Sequence, residues 1–160
     1  MSTAIAIVTI SDGVHQGTRE DRSGAEAEDI LTTAGLGPIT RLVVPDEHGE
    51  IVTALRSLVA EGYALVVTAG GTGLGPRDVT PEATREVIER EAPGLSELMR
   101  RAGVDKTPFA ALSRGIAGVS RSTLIVNLPG SAKAVGESLG AIVELLPHAL
   151  ETLEGRTEHS

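Results

Sequence analysis

Residues 70–75 lie between an apolar run and a helix-start signal, and four of them are glycines: Gly70, Gly71, Gly73 and Gly75. Glycine lets the backbone turn tightly and bring its N–H groups close to a ligand, and a following helix offers further unpaired donors. Asp78 would repel a bound phosphate, but its carboxylate could hold a magnesium ion that travels with a nucleotide. The segment therefore predicts an anion site for phosphoryl or nucleotidyl chemistry.

Other interpretations of this segment compete with that hypothesis. A glycine cluster at a strand-to-helix junction can be a plain tight turn, and Asp78 could simply cap the next helix. A Walker loop is excluded, because Gly75 is followed by Pro76 and Arg77 instead of a lysine and a serine or threonine. A dinucleotide fingerprint is disfavoured for two reasons. It belongs after a first strand, whereas these glycines follow a third strand. It also needs an acidic residue at the end of the next strand, whereas the corresponding residues 88–91 are predicted to be helical.

Composition limits the classes of protein and partner. The chain has 160 residues and is 41% hydrophobic but only 1% aromatic, so Val, Leu, Ile and Ala must build the core of one domain. Its net charge of −8 argues against nucleic acid as a partner. The sequence contains no cysteine, which excludes disulfides and thiol catalysis, and no apolar run approaches a membrane span. We expect a cytoplasmic protein without a membrane partner.

Hydrophobic patterns predict strands and helices in alternation. Continuous apolar runs predict buried parallel strands over residues 4–10, 38–44 and 64–68, and helical spacing separates them. Residues 115–119 and 123–128 could form a hairpin or extend the sheet. Such a pattern predicts a three-layer α/β/α fold with a mostly parallel central sheet. We expect one domain over residues 1–153 and a polar tail over 154–160.

Capping signals predict where helices begin and end. Ser23 with Glu26 forms a capping box, and Thr80 before Pro81 reads as the N-cap of the helix after the glycines. That helix is expected to continue until Pro93. The last helix is expected to begin after Ser131 and to bend at Pro147.

Ligands of open parallel sheets bind beyond the carboxyl ends of the strands. The residues expected there are Ser11 and Asp12, Asp46, the glycine segment with Asp78, and the run 127–131. Each could be ordinary turn chemistry on its own. Together, a carboxylate after each of three successive strands and a glycine cradle predict a magnesium-nucleotide site.

Several motifs carry a resemblance to a known family. They are Gly70-Gly71-Thr72-Gly73, Pro76-Arg77-Asp78-Val79-Thr80-Pro81-Glu82, Leu112-Ser113-Arg114 and Asn127-Leu128-Pro129-Gly130. In these the chain closely resembles the molybdopterin adenylyltransferases, which include bacterial Mog proteins and the G-domains of plant and animal molybdenum-cofactor enzymes. The resemblance implies Mg²⁺-dependent transfer of AMP from ATP to the phosphate of molybdopterin, with release of pyrophosphate. It also implies a homotrimer. A downstream molybdenum insertase is a candidate partner, and the sequence does not decide whether the product is handed to it directly.

The same resemblance implies roles for individual residues. Asp46 and Asp78 match the two essential aspartates, which would be catalytic and hold the metal. The positions that match nucleotide- or pterin-binding segments are Ser11, Asp12, Gly70, Gly71, Thr72, Gly73, Gly75, Ser113, Asn127, Pro129, Gly130 and Ser131. Ala69 stands where many members have glycine or serine. The alternative is a protein of the MoaB type, which binds molybdopterin or acts as a scaffold without catalysis.

Overall fold

Six strands form one central sheet in a computed structural model that describes residues 3–156. They are β1 (Ile5–Ile10), β2 (Ile39–Val44), β3 (Leu65–Ala69), β4 (Arg90–Glu91), β5 (Ala117–Ser120) and β6 (Thr123–Leu128). Their order across the sheet is β2-β1-β3-β6-β5-β4. The first four strands in that order are parallel, whereas β5 is antiparallel to both of its neighbours. Of the two predicted alternatives for residues 115–128, the structure shows a hairpin, and its strands are part of the central sheet.

Helices cover both faces of the sheet. They are α1 (Asp12–His15), α2 (Arg22–Thr33), α3 (His48–Ala60), α4 (Thr80–Val87), α5 (Pro93–Val104), α6 (Ala132–Ile142) and α7 (Leu146–Leu153), with 3-10 turns at Pro108–Leu112 and Val143–Leu145. Within residues 3–156, none of these helices is long and apolar enough to cross a membrane.

Alternate residues of β1 belong to two separate cores. Ile5 and Ile7 pack with α2, α5, α6 and α7, whereas Val8 and Ile10 pack with α3 and α4. All four side chains are at most 2% exposed. Because a strand directs successive side chains to opposite faces, a continuous apolar run requires a layer of helices on each side. The predicted three-layer α/β/α fold is confirmed.

Two predicted helix starts are wrong. The N-cap of α2 is Asp21, whose side chain accepts a hydrogen bond from the N–H of Gly24, and Ser23 lies buried inside the helix. Thr80 is likewise a residue of α4 and not its N-cap. Its hydroxyl donates instead to the carbonyl oxygen of Gly70 at 2.9 Å. At α2 another local residue makes the cap, whereas at α4 a contact with the residue after β3 competes with the local capping pattern.

The helix predicted over residues 88–91 is also wrong. α4 ends at Val87, and Arg90–Glu91 pairs with β5. The N–H of Glu89 donates to the carbonyl of Val119 at 2.8 Å. Pairing with a strand about 30 residues later satisfies these backbone groups, which local helix propensity could not anticipate. Pro93 consequently begins α5.

The C-terminal helix is broken more sharply than predicted. α6 ends at Ile142, a 3-10 turn spans Val143–Leu145, and α7 begins at Leu146 with Pro147 in its first turn. Proline lacks an N–H and fits the start of a helix better than its interior. α7 ends at Leu153, and residues 157–160 of the predicted tail lie outside the described part of the chain.

Candidate active site

The loops that follow the parallel strands meet at one edge of the sheet. The N–H of Asp46, after β2, donates to a carboxylate oxygen of Asp12, after β1, at 3.0 Å. The N–H of Gly70, after β3, donates to the carbonyl of Leu128 at the end of β6, at 3.1 Å. The structure thus brings together the four loops expected to share this edge.

Gly70 and Gly71 allow the glycine loop to lie very close to its neighbours. Their φ angles are 110° and 69°, a region that other residues rarely adopt. A Cβ at Gly70 would lie 2.2 Å from the carbonyl oxygen of Ile10, and one at Gly71 would lie 2.2 Å from Oγ1 of Thr80. These two glycines are therefore required by the fold of the loop itself.

Gly73 and Gly75 make room for the carboxylate of Asp78. A Cβ at either position would lie 2.9 Å from Oδ2 of Asp78. The N–H of Gly75 donates to that same oxygen at 2.9 Å. The N-cap of α4 is Val79 and receives no side-chain capping bond, so Asp78 does not cap this helix. The helix-capping alternative for Asp78 is therefore excluded.

The glycine loop presents free backbone donors. Among residues 3–156, no protein acceptor receives a hydrogen bond from the N–H groups of residues 71–74. The loop is closed elsewhere, because the N–H of Thr80 donates to the carbonyl of Gly71 at 3.1 Å. Successive unpaired N–H groups on a tight turn form an anion-binding concavity.

Arg77 links the loops after β1, β2 and β3. Its Nε donates to Asp12 at 2.6 Å, and its Nη2 donates to Glu47 at 2.9 Å. The N–H of Asp12 in turn donates to Oδ2 of Asp46 at 2.9 Å. Asp12 is thus occupied by protein partners and fixes the position of Asp46.

Two neighbouring carboxylates experience opposite electrostatic environments. The Arg77 guanidinium lowers the pKa of the Asp12 carboxyl below its ordinary value. Burial raises the pKa of Asp46, and the negative charges of Asp12 and Asp78 add to that effect. An aspartate held among other carboxylates at this edge would be stabilised by a cation.

Two cavities lie beside the glycine loop. The first, which we call the carboxylate cavity, encloses about 700 Å³ and is lined by both Asp46 and Asp78. The second, which we call the helical cavity, encloses about 420 Å³ between the loop, α5 and α6. Gly71, Asp78 and Gly130 line both of them. The two cavities therefore share a wall at the predicted carboxylate site.

The remaining predicted residues divide between these cavities. Ser11 and Ser131 line the carboxylate cavity, although their side chains also cap α1 and α6. The helical cavity contains Thr72, Gly73, Ser113, Asn127 and Pro129. Gly75 and Asp12 line neither cavity and act through Asp78 and Asp46.

Asn127 serves the fold more than a ligand. It is only 2% exposed, and its amide donates to the hydroxyls of Thr68 and Thr84 at 3.0 Å each. Its Oδ1 accepts from the N–H of Ile116 at 3.1 Å. Because these partners occupy its polar atoms, Asn127 contributes to the cavity wall without a free hydrogen-bonding group.

The sequence predicted no individual role for several arginines near the site. Arg77 holds Asp12, Arg114 contacts the backbone of the glycine loop, and Arg19 lines the carboxylate cavity. Arg114 stands in a motif that supported the family resemblance, but no spacing rule indicates its contacts. Arginines in loops are usually exposed to solvent. The sequence therefore offered no reason to assign these contacts to them.

The carboxylate cavity suits a magnesium ion that arrives with phosphate. No cluster of three or more His, Cys, Asp or Glu side chains within residues 3–156 could hold a metal by itself. Asp46 and Asp78 each keep one carboxylate oxygen without a hydrogen-bond donor among the described residues. Magnesium commonly uses one or two carboxylates and completes its shell with water and substrate phosphate. The residues present fit that mode of binding.

Comparison with known proteins identifies the family. A family model described as "Probable molybdopterin binding domain" matches residues 6–148. The chain belongs to this family. It is 42% identical over 154 residues to the molybdenum cofactor synthesis protein cinnamon of Drosophila melanogaster, covering 95% of this chain and 26% of that protein. The chain thus spans only about a quarter of that relative.

Relatives of similar length also match. A molybdopterin adenylyltransferase of Helicobacter pylori J99 is 38% identical over 154 residues, which are 94% of this chain and 88% of that protein. The solved structure of the molybdopterin biosynthesis enzyme MoaB of Thermus thermophilus is 49% identical, with a TM-score of 0.87. The match covers 95% of this chain and 96% of that one.

Proposed function

We propose that this member of the molybdopterin-binding family is a molybdopterin adenylyltransferase of molybdenum cofactor biosynthesis. It would transfer AMP from ATP to the phosphate of molybdopterin and release pyrophosphate. The observation that carries the proposal is the position of Asp46 and Asp78 on the carboxylate cavity, with Asp78 also on the wall shared with the helical cavity. Two substrate groups that react with each other require two adjoining binding spaces.

The carboxylate cavity is proposed to hold the polyphosphate of ATP. Gly71, whose N–H is free, and Arg19 line this cavity, whereas Thr72 and Gly73, whose N–H groups are also free, line the adjoining helical cavity. Arg22 also lines the carboxylate cavity, but it is paired there with Glu20. Asp46 and Asp78 would hold magnesium, which supplies charge neutralisation at the transferring and leaving phosphates. The helical cavity contains Met99, Phe109 and Leu112, whose apolar surfaces suit a flat heterocyclic ring.

The reaction is an in-line displacement. An oxygen of the pterin phosphate forms a bond to the α-phosphorus of ATP, and the bond to the β-phosphate oxygen breaks as pyrophosphate leaves. Both nucleophile and leaving group belong to substrates, so the chain needs no nucleophilic side chain. Its residues hold two anionic reactants in line, with loop N–H groups as donors to phosphate oxygens and Arg77 fixing Asp46 through Asp12.

The test is turnover with defined substrates. The protein is incubated with molybdopterin, ATP and Mg²⁺, and adenylylated pterin and pyrophosphate are measured. Equal amounts of both products are expected. If pterin binds but neither product forms, the chain is a silent binder of the MoaB type and the proposed activity is wrong.

We further propose the assembly and setting that the family resemblance implies. The active form would be a homotrimer in the cytoplasm that passes its product to a molybdenum insertase. Exposed apolar side chains at Leu74 and Phe109, 67% and 76% accessible, are compatible with contacts to other chains. Sedimentation equilibrium would distinguish a trimer from a 16.5-kDa monomer.

A further inference from the structure

Arg114 contacts the glycine loop through the carbonyl groups of its backbone. Its backbone N–H donates to the carbonyl of Thr72 at 2.8 Å. Its Nε donates to the carbonyl of Gly73 at 2.8 Å, and its Nη2 donates to the carbonyl of Asp78 at 2.7 Å. Arg114 itself lines neither cavity. One residue therefore holds three carbonyl groups from both ends of the loop.

These contacts determine the direction of the loop's donors. In a trans peptide, the C=O of one residue and the N–H of the next point in opposite directions. Carbonyls of Thr72 and Gly73 that are turned to Arg114 therefore turn the N–H groups of Gly73 and Leu74 away from it. Those two N–H groups have no protein acceptor among the described residues. Arg114 thus orients two of the free donors of the loop, and one of them belongs to Gly73 in the wall of the helical cavity.

Only an arginine can make this set of contacts. The guanidinium is a planar fork with five N–H donors, whereas a lysine ammonium is a single point with three. The remaining nitrogen, Nη1, donates to Glu82 at 2.7 Å. That ion pair lies at the surface, with Arg114 and Glu82 side chains 35% and 49% exposed. It steadies the fork but does not touch the loop.

We propose that Arg114 is a positioning residue that fixes the glycine loop in its phosphate-binding conformation. It acts through the backbone carbonyls of Gly73 and Asp78, and it acts before any ligand binds. The identity of the ligand as a nucleotide polyphosphate rests on the proposed function. The conformation of the free loop does not.

Two variants distinguish the effect of the guanidinium hydrogen bonds to the loop from the effect of the ion pair with Glu82. Arg114→Lys keeps a positive charge near Glu82 but cannot bridge the two carbonyls. Glu82→Gln removes the ion pair but leaves the contacts with the loop intact. The first measurement is amide hydrogen exchange without ligand, and the second is the Kd of Mg·ATP by calorimetry. Thermal unfolding of each variant is recorded alongside.

The expected results differ between the two variants. In Arg114→Lys, the amides of Gly75, Asp78 and Thr80, which are hydrogen-bonded within the loop, exchange faster, while those of β3 and β6 keep the wild-type rate. Its Kd for Mg·ATP rises about tenfold or more, because two charge-assisted hydrogen bonds no longer fix the loop. Glu82→Gln exchanges like the wild type and binds within about twofold of it, because exposed ion pairs contribute little.

Other outcomes would overturn the proposal. Faster exchange in β3 and β6 as well as in the loop would make Arg114 a general support of the fold. An equal loss of binding in both variants would assign the effect to the ion pair, and unchanged exchange in Arg114→Lys would show that the loop needs no clamp. If the wild type fails to bind Mg·ATP, the proposed nucleotide is wrong, and the exchange data still decide the role of Arg114.

Discussion

Asp46 and Asp78 are the residues on which the proposed chemistry depends, and neither carboxylate accepts more than one hydrogen bond among the described residues. Asp78 receives one hydrogen bond from its own loop, and Asp46 receives one from Asp12. The raised pKa of Asp46 reflects burial first and then repulsion from the neighbouring carboxylates. A carboxylate kept in such surroundings indicates a role outside stability.

Replacing either aspartate by asparagine is therefore expected to separate activity from stability. Asp78→Asn and Asp46→Asn should each lower the rate of adenylyl transfer by roughly 100-fold or more, because charge stabilisation of the reacting phosphates is lost. The Tm should not fall, and in Asp46→Asn it should stay or rise, because a neutral amide is not repelled by Asp12 and Asp78. Initial rates and thermal unfolding on the same samples check this. A variant that unfolds early, or one that retains its rate, contradicts the assignment.

At the scale of one residue, the sequence predicted those site residues whose role depends on their residue type alone. The aspartates that follow the first three strands can be identified directly in the sequence. The structure brings two of them, Asp12 and Asp46, into direct contact. Arg77 and Arg114 could not be predicted, because their partners depend on how loops separated by 30 or more residues approach each other. Asn127 lies in the wall of the helical cavity, and its contact with a ligand stays a prediction; partners on other elements occupy its side-chain polar atoms.

At the scale of the elements, glycines of the glycine loop are needed for two different reasons: Gly70 for the fold and Gly73 for the position of Asp78. Gly70→Ala should destabilise the protein, because its φ alone costs roughly 1–3 kcal/mol and the new Cβ would meet the carbonyl of Ile10. Gly73→Ala should leave the Tm within a few degrees of the wild type, because only the movable end of Asp78 is in its way. Its rate of transfer should nevertheless fall about tenfold or more through the displaced carboxylate. Unfolding curves and initial rates distinguish the pair, and equal Tm values in the two variants would contradict this division.

The start of α2 is tied to the sheet by a partly buried ion pair. The Asp21 carboxylate is 14% exposed and accepts hydrogen bonds from Arg41 at 2.8 Å and Thr9 at 2.9 Å. Burial acts to raise its pKa, but the hydrogen bonds from Arg41, Thr9 and Gly24 outweigh burial and lower the pKa below its ordinary 3.8. A lowered pKa in the folded state means that ionised Asp21 stabilises the fold above the ordinary value and loses that effect as the pH falls.

Acid stability should therefore depend on Asp21. The wild type should lose free energy of unfolding as the pH falls below about 4, and Asp21→Asn should lose less over the same range. At neutral pH the variant should be less stable by about 0.5–1 kcal/mol, because asparagine still caps the helix but loses the ion pair. Urea unfolding between neutral and acid pH measures both effects. Glu28→Gln is the matched control, because Glu28 also pairs with Arg41, and its free energy of unfolding should change with pH as in the wild type. If the free energy of unfolding of Asp21→Asn also changes with pH as in the wild type, the assignment to Asp21 is wrong.

Helix and strand boundaries show why local patterns reach only part of the fold. Long apolar runs predicted β1, β2 and β3 within one residue at each end, because burial on both faces leaves little freedom. β4 was missed, since two residues carry no periodicity and pair only because β5 lies beside them. The start of α2 was misplaced because Asp21, two residues earlier, caps it locally, and the start of α4 was misplaced because the hydroxyl of Thr80 donates to the carbonyl of Gly70.

The whole molecule is acidic, which makes its affinity for a polyanion depend on local charge. With a net charge of −8, the chain repels free ATP at long range, and the carboxylate cavity adds Asp46 and Asp78 at short range. The parallel order of β2, β1, β3 and β6 concentrates these carboxylates and the free loop donors at one edge. The N–H groups that attract phosphate and the carboxylates that repel it therefore lie side by side. A divalent cation bound to the carboxylates would remove the repulsion and favour phosphate binding.

Removal of magnesium should accordingly reverse the ranking of two proteins. With Mg²⁺, the wild type should bind ATP more tightly than the Asp46→Asn/Asp78→Asn double variant, because the carboxylates hold the metal. With EDTA, the affinity of the wild type should fall about tenfold or more, whereas the double variant should change little and bind ATP at least as tightly as the wild type. Calorimetric titration in both conditions measures the four Kd values. If the wild type binds equally well in EDTA, or if the double variant shows the same magnesium dependence, these aspartates do not hold the metal of the nucleotide.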